Sequence, residues 1–535
     1  MAPPLQPIPP VKAPKPSRLL RASVVSAVAT ALSRVTGAAR DISLANAFGA
    51  GRVSDAFWLA FTIPGIFRRF LADEGLTGAL IPAVANAERA EGVAAARRLA
   101  DEAFAALFVL GLALTIAAMV FARALVLLFG SGIADDAAQL ELTVRLTRWM
   151  MPSLLLVTLV SYAEGLMNYR GAFFWPKVAP AAANLAMVAA ALWPLTLLGA
   201  PVYTVVLGVL VGGVLQVAMC LSGLFSSWGR IGLVWPSFGD PRLRAFLREM
   251  SKVAAIGVFA QVNVIVLRNL GSMLEPGTIT QYWYASRVVD LAQGAVAVGV
   301  SSALLPAVSQ AAAERDWERF RADLGHGFAL AGIVLVPVAG ALAVVARPIV
   351  SLLFLHGAYT ASDVERTALA VQLLVPFMLA LSGVNLVKKA FFAIDDRNTL
   401  FAVGAFGVAI TAGIGWMMAT RLGVAGLSVA LSVSTCVQLA VYLLVLNTRI
   451  EGGLGLRAVV GPLLRMAVAT VPAVLVAWGI CSLGDWDGGA ADLRNVAIFV
   501  AAAIASGAIY LALATLFRVD EVREVLAKIR KRLGR

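Results

Sequence analysis

The chain has 535 residues, 60% of them hydrophobic and only 14% charged, with a mean hydropathy of +0.85, against roughly 45–50% apolar content in soluble domains. One aqueous core cannot hide that excess, and apolar blocks long enough to cross a bilayer recur along the chain, so a membrane protein is expected. The formal net charge of +13 is spread through short segments between the apolar blocks, which is the pattern that sets topology and argues against nucleic acid as a partner. Cys220, Cys436 and Cys481 lie singly in or beside apolar runs, without the paired spacing of a disulfide framework or zinc site.

Residues 1–17 contain seven prolines and read as a disordered cytoplasmic lead-in. The apolar stretch at 19–31 mimics a signal peptide at Ala27-Val28-Ala29, but Arg21 interrupts it and it runs on through Arg34, so it is expected to be retained. About fourteen spans follow, centred near residues 35, 70, 115, 155, 186, 214, 262, 295, 338, 378, 409, 435, 470 and 504. Alternate connections carry the basic residues, among them Arg89, Arg97, Arg98, Arg170, Lys177, Arg230, Arg242, Arg315, Arg397 and Arg449. The opposite connections hold mostly acids, including Asp135, Asp136, Glu275, Asp363, Asp485 and Asp487, with Arg52 and Arg421 as exceptions. Both termini are therefore expected in the cytoplasm. The tail from Val519 places Val522, Val525, Leu526, Ile529 and Leu533 on one helical face with basic residues opposite, as expected of a segment on the anionic inner leaflet.

An internal repeat is visible. Ala79-Leu80-Ile81-Pro82-Ala83-Val84 matches Ala303-Leu304-Leu305-Pro306-Ala307-Val308, and Ala122-Arg123-Ala124-Leu125-Val126 matches Ala346-Arg347-Pro348-Ile349-Val350, both at a separation of 224 residues. The expected fold is an all-α polytopic membrane protein of about fourteen helices. Residues 18–228 form a first six-helix lobe. Residues 229–447 form a second, with an amphipathic linker before it, and 448–518 add two helices ahead of a basic tail at 519–535. Transporters built on such duplication place the substrate between the repeats.

Charges interrupt these spans. The first helix carries Arg34, Arg40 and Asp41, the second Asp55, Arg68, Arg69, Asp73 and Glu74, and the eighth Arg287 and Asp290 after Tyr282-Trp283-Tyr284. Five arginines exposed to lipid at about 2.5–3.5 kcal/mol each would rival the roughly 5–15 kcal/mol stability of a whole domain, so they are expected to face water, counter-ions or the interface. Arg69 with Asp73 and Arg287 with Asp290 have the i,i+4 and i,i+3 spacing of same-helix pairs, whereas Arg34, Arg40 and Arg68 have no such partner. Asp55 reads equally as a gate partner or an N-cap. At 224 residues on, Arg34, Arg40, Arg68 and Arg69 meet Val258, Val264, Ala292 and Gln293. Confinement to one half favours anion handling over folding, and the guanidinium fork suits phosphate. Pro64-Gly65, Gly75 and Gly78 allow a bend or close packing. No ATP-binding, zinc-hydrolase or nucleophile-elbow motif is present, and neither His326 nor His356 has ligand-spaced neighbours.

The run from Ser33 to Asp41, then Phe48-Gly49-Ala50, Asp55-Ala56-Phe57, Arg68-Arg69, Ile81-Pro82, Ala285-Ser286-Arg287, Leu304-Leu305-Pro306 and Phe354-Leu355-His356-Gly357-Ala358-Tyr359 together resemble the MurJ (MviN) lipid II flippases. The resemblance implies the multidrug/oligosaccharidyl-lipid/polysaccharide exporter fold, two lobes in a V around a cavity, with the two extra helices forming a lipid groove. It implies an undecaprenyl diphosphate-linked peptidoglycan precursor moved from inner to outer leaflet of the bacterial cytoplasmic membrane, with Arg34, Arg40, Arg68 and Arg287 on the diphosphate and Asp55 at the gate. Arg69 joins the candidate binding set, and Asp41, Asp73 and Asp290 the candidate gate or charge partners. Ser286 replaces the acidic residue common before the eighth-helix arginine, leaving Asp290 to substitute. Asn263, Asp396 and Asn398 are polar candidates for a sodium site, but no spacing identifies one, and the coupling ion, sodium or proton, stays open. The expected chain is a monomer, not an enzyme, without cofactor, whose partners are the lipid-linked diphosphate, membrane lipids and the cell-wall synthesis machinery. A drug or another polyprenyl-linked oligosaccharide is the alternative cargo. A membrane polymerase is disfavoured by the short outer loops.

Overall fold

The computed structural model describes residues 16–69, 76–193, 199–232, 234–517, 519 and 521–523. Among the described residues there are seventeen α-helices and no strand. The elements are α1 (Pro16–Phe48), α2 (Arg52–Arg68), α3 (Thr77–Glu91), α4 (Val93–Val120), α5 (Ala122–Phe129), α6 (Ala137–Met150), α7 (Pro152–Tyr169), α8 (Phe174–Leu192) and α9 (Pro201–Ser227). They continue as α10 (Pro241–Ser272), α11 (Thr278–Ala313), α12 (Trp317–Phe354), α13 (Ala361–Ala393), α14 (Arg397–Leu422), α15 (Val424–Arg449), α16 (Leu456–Cys481) and α17 (Leu493–Leu516). Helix α1 already includes Pro16 and Ser17, which the sequence reading assigns to the disordered lead-in; proline's fixed φ is tolerated in a first helical turn. The rest of that lead-in lies outside the described residues.

Among the described residues, nine helical stretches are long and apolar enough to cross a bilayer. The other expected spans fall on α1, on α2 and α3 flanking residues 70–75, and on α8, α10 and α11. These helices carry polar or charged residues along their length: Arg34 and Arg40 in α1, Lys177 and Asn184 in α8, Arg268 in α10, Arg287 in α11.

By spatial clustering the chain divides into two compact units, residues 1–47 with 52–265, and residues 48–51 with 266–535. In the first unit, α3, α4 and α7 share an apolar core of Leu80, Val84, Leu99, Ala103, Tyr162 and Leu166, closed by Trp228 and Phe246. The Tyr162 hydroxyl donates to the Ala100 carbonyl at 2.8 Å, which satisfies the one polar atom this aromatic ring brings inside. Arg52 approaches Asp136 at 3.4 Å, which gives this basic residue an acidic partner.

The 224-residue offset extends from the sequence to the helices. Val93–Phe129, containing α4 and α5, corresponds to α12, and Phe121 (φ −89°, ψ 17°), which separates α4 from α5, falls opposite Val345 (φ −107°, ψ 26°), the non-helical residue within α12. Ala137–Tyr169, containing α6 and α7, corresponds end to end with α13, and Pro152 at the head of α7 falls opposite Pro376 within α13. Proline lacks the N–H that would continue the ladder, so the same interruption recurs in both copies. The caps also correspond: Asp136 accepts from the Gln139 N–H at 3.0 Å, and Thr360 forms a capping box with Asp363.

In the second unit the appended hairpin of α16 and α17 packs on α12. Met466, Ala469, Ala473 and Ala477 face inward, while Leu464, Val468, Val471, Leu475 and Trp478 on the opposite face stay between 56 and 60% exposed, a lipid-facing stripe at helical spacing. Small residues let the backbones approach: a Cβ on Gly332 would lie 2.5 Å from Leu463, and one on Gly340 2.6 Å from Thr470. The link between α16 and α17 is seated by Trp486, whose indole N–H donates to Cys481 O at 2.9 Å and whose carbonyl accepts from Ser351. Val519 and Val522 pack with Ala329, Met466, Ala469, Ala473, Tyr510 and Ala514. The start of the tail is therefore packed against α12, α16 and α17. Residues 524–535 lie outside the described residues.

Candidate functional site

In the first unit Arg40 of α1 is the centre of a buried hydrogen-bond network. Its Nε and Nη2 donate to Asp41 Oδ1 at 2.9 and 2.7 Å, and its Nη1 donates to Asn184 Oδ1 of α8 at 3.1 Å. Asn184 in turn donates to Ser33 O at 3.2 Å and Thr36 Oγ1 at 3.3 Å, so one amide ties α8 to α1 and fixes the guanidinium. That group also lies 6.0 Å from the Trp58 ring centre and 5.7 Å from that of Phe61, within cation–π reach. Arg40 and Asp41 are only 9 and 3% exposed.

This corrects the expectation that Arg40 has no partner on its own helix. Helix-surface pairing rules count i,i+3 and i,i+4, but a long arginine can fold back onto an adjacent carboxylate, and burial makes that closure favourable. Asn184 escaped the sequence reading because a lone asparagine in an alanine-rich helix carries no spacing signal.

The remaining first-unit candidates behave differently. Arg34 is half-buried on α1 and Arg68 is exposed in the last turn of α2. Neither forms a hydrogen bond or ion pair with another described residue. Arg69 donates to Gln261 Oε1 of α10 at 3.1 Å; its expected partner Asp73, with Glu74, lies outside the described residues. Asp55 is in the first turn of α2 and 3% exposed. It stands inside the helix and is not the cap, where a carboxylate complements the positive end of the helix dipole.

In the second unit Arg287 approaches Asp290 at 3.6 Å, the i,i+3 pair its spacing predicts, and lies 4.5 Å from the Trp283 ring centre. The same ring has a second cation, Arg268 of α10, at 4.8 Å. Arg268 is 7% exposed and donates to the Ile279 carbonyl at 3.3 Å. The sequence reading passed over Arg268, and the claim that arginine is confined to one half is corrected accordingly. The available signal was positional: Arg268 stands one turn beyond Val264, the counterpart of Arg40.

Two other motif segments meet in the second unit. Gly49 has φ +60° and approaches so closely that a Cβ there would lie 2.3 Å from Ala358 O, which joins Phe48-Gly49-Ala50 to the His356-Gly357-Ala358-Tyr359 turn. Beneath that turn Tyr284 stacks on Phe354 at 4.6 Å and meets Tyr359 edge-on at 5.6 Å. Asp396, a candidate for a sodium site, caps α14 by accepting from the Thr399 N–H at 3.1 Å and pairs with Arg449 at 3.2 Å.

Comparison with known proteins identifies the family. Residues 44–491 match the family model described as lipid II flippase MurJ. A lipid II flippase MurJ of Burkholderia cenocepacia is 30% identical over 509 residues, covering 92% of this chain and 96% of the relative. A probable lipid II flippase MurJ of Rhizobium tropici is 31% identical over 426 residues, 78% of this chain and 79% of the relative. Among solved structures, one of lipid II flippase MurJ in an inward closed conformation is similar with a TM-score of 0.76 at 19% identity, covering 93% of this chain and 99% of that one. An inward-facing multidrug resistance transporter of the MATE family, in the MOP superfamily, is similar with a TM-score of 0.65 at 15% identity, covering 80% of this chain and 98% of that one. The chain belongs to the lipid II flippase MurJ family.

Proposed function

We propose that the protein is a lipid II flippase of the bacterial inner membrane, carrying a polyprenyl diphosphate-linked precursor from the inner to the outer leaflet by alternating access. The observation that carries the reading is the match to a curated lipid II flippase along 92% of this chain and 96% of the relative. The chemistry of the site supports it. Arginines retained in otherwise apolar helices are costly to lipid and suited to phosphate oxygens.

Within this reading Arg34, Arg68, Arg69 and Arg287 are the groups that meet the diphosphate, and Arg40 supports them from its buried network with Asp41 and Asn184. Asp55 and Asp290 modulate the charge around them. Both termini are cytoplasmic, and the protein works as a monomer alongside the cell-wall synthesis machinery. Movement is energised by an ion gradient or by the membrane potential, worth about 2.3 kcal/mol per charge per 100 mV. The test is expression in a bacterium depleted of its own flippase, following precursor that becomes accessible from outside. The intact chain restores that pool, whereas Arg34→Ala and Arg287→Ala, present at normal levels, do not. Normal flipping by both variants would sink the site assignment.

A further inference from the structure

We infer that Arg268 is a positioning residue which holds the Arg287 guanidinium in place through the indole of Trp283. The inference rests on the reading that Arg287 meets the diphosphate, and it deepens that reading. Three observations in the second unit carry it. Arg268 is 7% exposed, so it cannot reach a ligand itself. Its guanidinium is held by two contacts, its donation to Ile279 O at 3.3 Å and the Trp283 ring at 4.8 Å. Arg287, by contrast, keeps 34% of its side chain exposed and lies over the same ring, 4.5 Å away.

The ion pair between Arg287 and Asp290 is a weak restraint. Asp290 stands 3.6 Å off with 55% of its side chain exposed, and an open ion pair of that kind fixes geometry poorly. Removing Arg268 frees the indole to turn, and the guanidinium turns with it. Presenting an anion site already in its binding pose reduces the ordering cost of binding. The two cations also lie close enough together to favour a ligand with two negative charges over one with a single charge.

The two units solve the same problem in opposite ways. On α1 the buried arginine is neutralised by its adjacent carboxylate, Arg40 to Asp41 at 2.7 Å. On α10 the buried arginine shares a ring with a second arginine.

The experiment uses the full chain in detergent micelles and two readouts. The first is the rate of phenylglyoxal modification at Arg287, read by peptide mass spectrometry without any lipid. Arg268→Gln and Trp283→Leu are expected to raise that rate severalfold, while Trp283→Phe, which keeps an aromatic face, changes it less. The second is binding of undecaprenyl diphosphate and of undecaprenyl monophosphate. Arg268→Gln is expected to weaken diphosphate binding by about two- to thirty-fold, the range of one cation–π contact, and to weaken monophosphate binding less. Combined with Arg287→Gln it adds nothing further, because it acts only through Arg287. An unchanged modification rate in both Arg268→Gln and Trp283→Leu, or additive losses in the double variant, overturns the positioning role. A raised rate with no preference of the intact chain for diphosphate leaves positioning intact and counts against the transport reading. If Arg268→Gln fails to fold, Arg268→Lys and Trp283→Leu carry the same comparison.

Discussion

Removing the Asp41 carboxylate should unbalance the first unit more than any surface substitution. Asp41 accepts two guanidinium N–H bonds from Arg40, at 2.9 and 2.7 Å, and the pair has only 11 and 5% side-chain exposure. Truncating one member of a buried pair leaves its partner charged and poorly solvated, which costs about 3–5 kcal/mol. Asp41→Ala is therefore expected to lower stability by about that amount, tempered by the surviving 3.1 Å bond to Asn184. Asp41→Asn keeps an oxygen acceptor and loses only the charge, so the fall is about 1–2 kcal/mol, the gap between charged and neutral hydrogen bonds summed over two contacts. The informative variant is Arg40→Ala with Asp41→Ala: replacing both partners removes the orphaned charge, so the double variant should be more stable than Asp41→Ala alone. Denaturation midpoints in detergent, with size-exclusion profiles as a check on folding, read all three. A stability of Asp41→Ala within about 0.5 kcal/mol of the parent, the usual span of surface substitutions, would refute the buried-pair reasoning. So would a double variant less stable than Asp41→Ala.

Gly332→Ala and Gly340→Ala should each cost about 1–3 kcal/mol by overpacking, since their Cβ atoms would lie 2.5 Å from Leu463 and 2.6 Å from Thr470; the loss should appear as faster proteolysis between α16 and α17. Trp486→Ala should cost about 3–5 kcal/mol as a core aromatic deletion and expose the α16–α17 link to trypsin at Arg494. Gly49→Ala combines a positive φ of +60° with a Cβ 2.3 Å from Ala358 O, so it should abolish complementation of a flippase-depleted strain. Outside the spans, the Arg242 side chain and then its backbone N–H hold the Asp240 carboxyl below its ordinary value of 3.8. Such a depressed group stabilises the fold above the unfolded value, and that contribution is lost as pH falls through the lower folded value. Hydrogen exchange at Ser237–Arg242 should therefore rise below about pH 3.8, and Asp240→Asn should remove that step.

The sequence made the periodic parts of this protein legible. Apolar blocks placed the spans, and two short matches at one offset exposed a duplication that the helices follow down to Phe121 and Val345. What it concealed were contacts between residues far apart in the chain. Asn184 reaches Arg40 across 144 positions, and nothing in an alanine-rich helix marks it out. Arg268 was hidden for a different reason: a strict offset pointed at Val264, and the arginine stands one helical turn later, close to the same face but absent from a residue-by-residue comparison. The Arg40–Asp41 pair was passed over because neighbours in sequence normally diverge on a helix surface. In a low-dielectric interior that tendency yields to the need to neutralise a charge.

The most direct measurement is native mass spectrometry of the intact chain released from detergent, with and without Arg287→Ala. The account predicts a bound polyprenyl diphosphate species on the intact chain and its loss, or a shift to much higher lipid concentration, in the variant. Equal retention by both proteins, or a co-purifying lipid without phosphate, would contradict it.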